Sequence, residues 1–483
     1  MGGNLARLAE YLGFDGADSG DLKQARVLET PTLQWVQLAF NQRIGLNIAF
    51  KLLLILCLES GDMMAQSTDL DRYFLRNAVS TSVGEFLWGL GLPIILESTF
   101  VPVFLSSVGA SNAQIGITGT IFSFSMAFVP FSAVYFTSRM PYKKGPTVWL
   151  QVIPAISIIL LGVYYVFFGT PRLAYPVFIF FYSWFAAGLA ATIPVWQNFV
   201  VKIFTPRDSV RGISIMMISQ NSAKLLSGVV LTFAIGAAGM SLASAGMVFL
   251  LAGAAFFIGS FSYAFARENR DKIDQTAYES PVRYFSHYFK HVLKNHSMIL
   301  FFLQDIEFPA VIVSVTFYAR YAIDWRSVPA PVAGGAFIIF LFIGAVSANL
   351  LLGFTRRLKI RTRYALIKTS TLLAILLLIF LKSTILFYAV SFLLGFSRSG
   401  RNQLYGPVVK GLSGLEDASP YYAISPFLML PVSAGLPVAV GFLLDCFSAW
   451  KAVAYQAAFA SLLLIVLLSL IPFLKLRFPE RMG

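Results

Sequence analysis

The chain has 483 residues, of which 57% are hydrophobic, 15% aromatic and only 12% charged, with a net charge of +14. A charged share about half that of a soluble domain marks a membrane protein. The basic residues stand in short stretches between apolar runs, which reads as loops on anionic lipid and excludes a nucleic-acid binder.

The first 30 residues are polar, with no apolar core and no small-residue cleavage site, so no ordinary signal peptide is expected there. Residues 1–81 form an extension. Within it, "LQWVQLAFNQRIGLNIAFKLLLILCLE" is apolar but carries Asn41, Arg43, Asn47 and Lys51, and its clean run from Leu52 to Leu58 is too short to span. The reading is a cytoplasmic or surface-lying helical segment, with an extra span over 35–58 as the alternative.

A span needs about 20 apolar residues. From Ser82 onward that length yields about twelve: 82–108, 112–137, 148–168, 175–203, 210–236, 243–265, 297–320, 331–354, 364–382, 384–408, 421–446 and 450–474. The fold class is therefore an all-α polytopic membrane protein. Two six-helix bundles are expected, at 82–265 and 297–476, joined by a linker over 266–296 and followed by a tail over 477–483.

Lysine and arginine set the orientation. One side carries Arg139, Lys143 and Lys144, then Lys202, Arg207 and Arg211, then Arg356, Arg357, Lys359, Arg361 and Arg363, and finally Lys475, Arg477 and Arg481. The loops "VGASNAQ" and "GAAGMSLAS" on the other side carry none. Both termini are expected in the cytoplasm, with the protein in the plasma (inner) membrane.

The linker holds "SPVRYFSHYFKHVLKNH", which puts Val282, Phe285, Phe289 and Val292–Leu293 on one helical face. That pattern predicts an amphipathic helix on the membrane surface, with His287, His291 and His296 toward lipid headgroups. The four-residue spacing of the first two histidines suits a metal. No carboxylate or cysteine accompanies them, so neither a metal nor any other cofactor is expected. Cys57 and Cys446 both lie in apolar runs and suggest no disulfide framework.

The two halves repeat each other. "FTSRMPYK" after the second span matches "FTRRLKIR" after the eighth. "FVVKIFTPRD" after the fourth matches "PVVKGLSGLE" after the tenth. "LESTFVPVFL" in the first span faces "IEFPAVIVSV" in the seventh. The similar offsets argue for duplication, with an even number of spans per half giving parallel repeats.

Twelve spans as six plus six, basic loops after spans two and eight, "TPRDSVRG" after span four and the amphipathic linker together resemble the major facilitator superfamily over residues 82–476. In the superfamily's second-loop signature, Ser138 stands at the aspartate place, Val134 at the first glycine and Pro141 at the second, while Arg139, Lys143 and Lys144 match. The fifth span lacks the glycine-proline signature of many drug exporters. The resemblance implies alternating access, with spans one, four, seven and ten lining the pathway.

Several polar groups fall on those spans. Glu97 lies within the first; Gln304, Asp305 and Glu307 lie in the seventh, with Glu307 the repeat partner of Glu97. Trp196, Gln197 and Asn198 are in the fourth span, and Arg398 and Arg401 in the tenth; Lys224 is in the fifth. A charge at the bilayer centre costs about 2.5–3.5 kcal/mol or more, so such groups face a cavity or each other. Glu97, Glu307 and Asp305 are the expected proton-coupling acids. Arg398, Arg401, Lys224, Trp196, Gln197, Asn198 and Gln304 are the expected substrate contacts, and Arg139, Lys143, Arg357 and Arg361 the expected gating residues. Glu85 and Lys368 read as groups near span ends, interfacial and snorkelling respectively.

The expected function is secondary transport of a small polar or anionic organic solute, coupled to protons, by a monomer whose partners are that solute, protons and membrane lipid. A proton-driven exporter of drug-like or amphipathic compounds and a non-transporting membrane scaffold or sensor stay open as alternatives. An enzyme is not expected: no histidine lies in a span and no nucleotide loop occurs.

Overall fold

The computed structural model describes residues 72–97, 100–110, 112–238, 241–271, 280–326, 337–355, 358–380, 383, 385–450 and 452–478. The extension, including 35–58 and Cys57, lies outside them, as does Arg357.

The first span is built from α1 (Phe74–Leu92), a π-helical stretch Pro93–Glu97 and α2 (Phe100–Ser107). It begins eight residues before the apolar ruler places it. The polar residues of the added turns face protein: Asn77, Ser80 and Thr81 are all buried. Asn77 anchors this end, its amide donating to the carbonyls of Ile203 (2.8 Å) and Arg267 (3.0 Å) while its oxygen accepts from the Arg267 N–H (2.6 Å).

The remaining spans of the first half are α3 (Asn112–Thr137), α4 (Lys144–Phe167), α5 (Pro171–Lys202), α6 (Ser209–Ala238) and α7 (Leu242–Ser262). Pro171 opens α5, where its missing N–H costs nothing. Ser241 and Ser244 form a reciprocal capping box at the start of α7. The linker carries α8 (Pro281–Lys294).

The seventh span is broken at Ile306 into α9 (His296–Asp305) and α10 (Glu307–Arg326). Then come α11 (Phe337–Phe354), α12 (Ile360–Phe380), α13 (Leu386–Ser413), α14 (Ser419–Cys446) and α15 (Ala452–Lys475). Among the described residues, ten helices are long and apolar enough to cross a membrane. The two other long helices, α6 and α13, are the more polar ones; they carry Arg211 and Lys224, and Arg398, Arg401 and Lys410.

Each half has an aromatic core. Phe104, Phe178, Phe249 and Phe256 lie in the first; Tyr321, Phe337, Phe387 and Phe459 lie in the second. Backbones approach closely where small residues meet. A Cβ on Gly344 of α11 would stand 2.0 Å from the Phe392 carbonyl oxygen, and one on Gly395 of α13 would stand 1.8 Å from that of Leu341. The halves touch where α6 packs on α11 and α3 on α14. Polar bonds also join α6 to α13: Asn221 donates to Ser399 (3.0 Å), which donates on to Asn349 of α11 (3.1 Å), and Gln403 donates to Ser214 (2.5 Å).

Candidate functional site

The break in the seventh span puts two acids on either side of one irregular residue. Asp305 ends α9 and Glu307 starts α10; both are buried. Breaks of this kind expose backbone and re-aim side chains, and they recur at transporter sites. The first span is irregular at the repeat-related place, since its π-helical turn ends on Glu97. The Glu97 side chain itself is outside the described residues.

Asp305 and Glu307 each have a cation. Arg401 of α13 meets Asp305 through Nε (3.0 Å) and a terminal nitrogen (2.5 Å), a two-pronged pairing. Its guanidinium carbon also lies 4.2 Å from the ring centre of Phe308 and 3.9 Å from that of Tyr405. Glu307 pairs with Lys368 of α12 at 2.5 Å. The Lys368 ammonium further donates to Ser469 (3.0 Å) and to the Gln304 carbonyl (3.1 Å), so all three of its protons have acceptors.

Lys368 therefore does not snorkel. Helix α12 begins at Ile360, which draws residue 368 inside the bundle, where it is 2% exposed. Gln304, Asp305, Glu307, Tyr364, Ser397 and Arg401 border one small cavity. Three buried polar atoms there, Gln304 Nε2, Glu307 Oε1 and the Tyr364 hydroxyl, have no protein partner. Arg398, one turn before Arg401, is partly buried and is not among the residues lining this cavity.

A second polar cluster fills the middle of the first half. Glu85 is 4% exposed, well inside the span rather than at its interface, because the helix starts at Phe74. The Tyr263 hydroxyl donates to Glu85 Oε1 (2.5 Å), and the Gln220 amide donates to Oε2. Trp196 Nε1 donates to the Tyr263 oxygen (3.2 Å), and Lys224 adds a nearby positive charge. Trp196 and Lys224 thus gather at one acid. Gln197, beside Trp196, is partly buried.

The basic end of the bundles holds a third constellation. Lys143, which precedes α4, is 1% exposed and lies 2.6 Å from Asp417, which precedes α14. Gly414 ends α13 in the left-handed region (φ 67°) and so turns the chain toward Asp417. Asn198 joins the same contact: its amide donates to Asp417 (3.0 Å) and its oxygen accepts from the Ala418 N–H (3.1 Å). Asn198 therefore sits at the closure between the halves, not beside Trp196's acid.

On the first-half side, Lys202 lies 2.7 Å from both Glu268 and Asp271, and Glu268 accepts from the N–H groups of Lys143 (2.6 Å) and Lys144 (2.8 Å). Burial acts to raise the Asp417 carboxyl, but the Lys143 charge and a hydrogen bond from Ser419 outweigh it and hold it below the usual range. Asp271, by contrast, is pushed up by burial, with Lys202 countering only in part. Among the other expected gating residues, Arg139 is exposed and lies against Tyr135, and Arg361 donates to the Leu474 carbonyl (3.2 Å).

The linker helix departs from its expected orientation. Tyr284, Tyr288 and Val292 are buried and Phe285 and Phe289 pack partly buried beside them against protein, whereas Val282 and Leu293 are 80% and 61% exposed. The tyrosines dock on protein, and His291 Nδ1 is hydrogen-bonded to the Tyr421 hydroxyl.

Acids bonded by buried bases and amides thus stand within both the first-half and the second-half bundles. The family description Major Facilitator Superfamily matches residues 87–410. No curated protein matches the chain. Among solved structures, FucP in its outward conformation superposes with a TM-score of 0.63 at 12% identity, covering 81% of this chain and 98% of that one. The proton:xylose symporter XylE gives 0.60 at 12%, covering 85% and 98%. The human organic anion transporter MFSD10 gives 0.56 at 14%, covering 85% and 100%. At these identities the likeness is one of fold. The family match takes in about two thirds of the 483 residues, and this multi-pass membrane protein belongs to the Major Facilitator Superfamily, as a transporter and not an enzyme.

Proposed function

We propose that the protein is a proton-coupled secondary transporter of a small polar organic solute, working by alternating access. One observation carries this reading: two buried ion pairs, Asp305–Arg401 and Glu307–Lys368, flank the break in the seventh span and border a cavity with unpartnered polar atoms. A carboxylate in such a pair can take a proton, which releases its cation and changes the local hydrogen bonding. Glu307 and Asp305 are the coupling acids in the second half. Glu97 and the fully hydrogen-bonded Glu85 are the candidates in the first.

Arg401 and Lys368 are each held by an acid of their own, so the cavity offers little net positive charge. That favours a polar solute over a strongly anionic one. Gln304, Arg401 and Arg398 on the second half, and Trp196, Gln197 and Lys224 on the first, are its proposed contacts. Proton coupling also fits two proteins of similar fold, an E. coli fucose:proton symporter and a proton:xylose symporter. The contact of Lys143 and Asn198 with Asp417 supports a state closed at the basic end, which is the cytoplasmic end in this reading, with both termini there. The protein acts as a monomer in the plasma membrane.

The test is a thermal-unfolding screen of detergent-purified protein against monosaccharides, polyols and carboxylates, followed by uptake of the hit into proteoliposomes under a pH gradient. A stabilising polar solute whose accumulation collapses with the pH gradient is expected. Accumulation that ignores the gradient overturns the coupling, and a carboxylate as the only stabiliser overturns the preference for uncharged solutes.

A further inference from the structure

Helix α8 joins the two halves. Its Phe285 and Phe289 rings pack on Phe131 of α3, at 4.8 and 6.0 Å between ring centres, and Tyr284 packs on Tyr135 at 5.7 Å. On the other side, Phe289 meets Phe427 of α14 at 5.8 Å and His291 bonds Tyr421. Helix α3 is the second span and α14 the eleventh, so one short helix bridges a span of each half. Its C-terminal end is fixed as well. Asn295 caps α9 by accepting from the Met298 N–H (3.0 Å) and donates to the Leu412 carbonyl (2.9 Å). The helix is thereby held against the ends of α3, α9 and α14.

The opposite face has a different chemistry. Arg283, His287, Lys290 and Lys294 are all exposed and follow one another at steps of four, three and four residues. On an α-helix those steps make one continuous stripe. The helix sequence contains no carboxylate to neutralise it. Exposed Val282 and Leu293 add apolar side chains at its two ends. Arg139 extends the charge, since its exposed guanidinium lies on Tyr135, whose ring packs against Tyr284.

We propose that this stripe is a docking surface for anionic phospholipid headgroups, and that lipid bound there holds the two halves closed at the basic end. A cationic row with apolar ends, fixed at the level of the spans, matches a phosphate layer above acyl chains. The helix makes its bridging contacts to both halves in the closed arrangement. Lipid that binds the helix in place therefore binds this state better than one in which α3 and α14 separate, and it shifts the equilibrium by that difference. The inference rests on the reading of the protein as an alternating-access transporter, but its test needs no substrate.

The test uses full-length protein with Cys57→Ser, Cys446→Ser and Ala418→Cys. Ala418 is fully buried in the contact with Asn198, so its labelling rate reports opening at this end. Maleimide labelling is followed in nanodiscs of phosphatidylcholine alone and of phosphatidylcholine with phosphatidylglycerol at 7:3. Phosphatidylglycerol should slow labelling several-fold, and 0.5 M NaCl should remove most of that effect by screening. In an Arg283→Gln, Lys290→Gln, Lys294→Gln background, the rate in phosphatidylcholine should match the parent and the phosphatidylglycerol effect should vanish. Equal parent rates in the two lipids would overturn the proposal, as would an effect that survives in the triple variant or in high salt. Should the triple variant fail to fold, Lys290→Glu alone reads the same way: it should lose most of the lipid effect, and a full effect there overturns the proposal too.

Discussion

Lys143 and Asp417 meet across the two halves at 2.6 Å, with the lysine almost wholly buried. Asp417 is partly exposed, so its loss leaves the buried Lys143 charge short of its partner at a cost below that of a fully buried pair, about 3–5 kcal/mol. Asp417→Asn should therefore open the basic end, with faster labelling of a cysteine at position 418. Lys143→Met with Asp417→Leu, which removes both charges, should recover part of the closure. Unchanged labelling in Asp417→Asn would assign the closure to the aromatic and polar seams alone.

The same contact sets a pH dependence. The Asp417 carboxyl is held below the usual range in the folded protein. Its contribution is thus fully present above the ordinary carboxylate pKa and is lost as pH falls through the lower, folded value. Closure measured by labelling should be constant from neutral pH to mildly acid pH and weaken only in strong acid. Asp271 has the opposite sign: burial raises its carboxyl, so its charged form is disfavoured and protonation on acidification relieves that burial. In thermal unfolding the parent should therefore gain stability as pH falls through the raised Asp271 value, and Asp271→Asn, neutral at every pH, should abolish that gain.

Glu307 and Lys368 are predicted to separate stability from coupling. Glu307→Gln leaves the Lys368 ammonium without its carboxylate and should lower the unfolding temperature in detergent, reflecting about 3–5 kcal/mol. Glu307→Gln with Lys368→Met should restore most of that loss. Neither variant should accumulate substrate under a pH gradient, although exchange of substrate at equal concentrations should persist in the double variant. Gradient-driven accumulation in the double variant would mean that Glu307 is structural.

Glu85 and Glu97 can be told apart in the same assay. Glu85→Gln keeps the hydrogen bond from Tyr263 but removes the ionisable proton, and the neighbouring Gln220 amide loses a charged acceptor. It should lose gradient-driven accumulation while Tyr263→Phe only shifts its pH profile. If Glu85→Gln transports normally and Glu97→Gln does not, the coupling acid of the first half is Glu97.

Gly395 offers a purely steric prediction. A methyl group there would fall 1.8 Å from a backbone oxygen of Leu341, and backbone cannot move aside as a long side chain can. Gly395→Ala should lower the unfolding temperature of the purified protein by several degrees. Gly435→Ala, at a glycine with open space where its Cβ would be, is the control and should be close to neutral.

Sequence alone carried the helices a long way. Apolar runs of spanning length, the basic loops and the internal repeat identify an all-α chain of two similar halves, and the repeat pairs Glu97 with Glu307, the very places where the first and seventh spans are irregular. These features are local or periodic, and they follow from the need to bury apolar surface and satisfy backbone within one helix. The tertiary structure decided the rest. Hydropathy measures what faces lipid, so it missed the buried polar turns before Ser82 and thereby misplaced Glu85; in the same way Lys368 looked like a span end until α12 was seen to start at Ile360. Which base meets which acid depends on atoms within about 4 Å, brought together from spans far apart in the chain. For the linker helix, the sequence pattern puts Val282, Phe285, Phe289 and Val292–Leu293 together on the membrane side. Only the packing of Phe285 and Phe289 on Phe131 and Phe427, and of Tyr284 on Tyr135, turns the aromatic side to protein and leaves Val282 and Leu293 exposed.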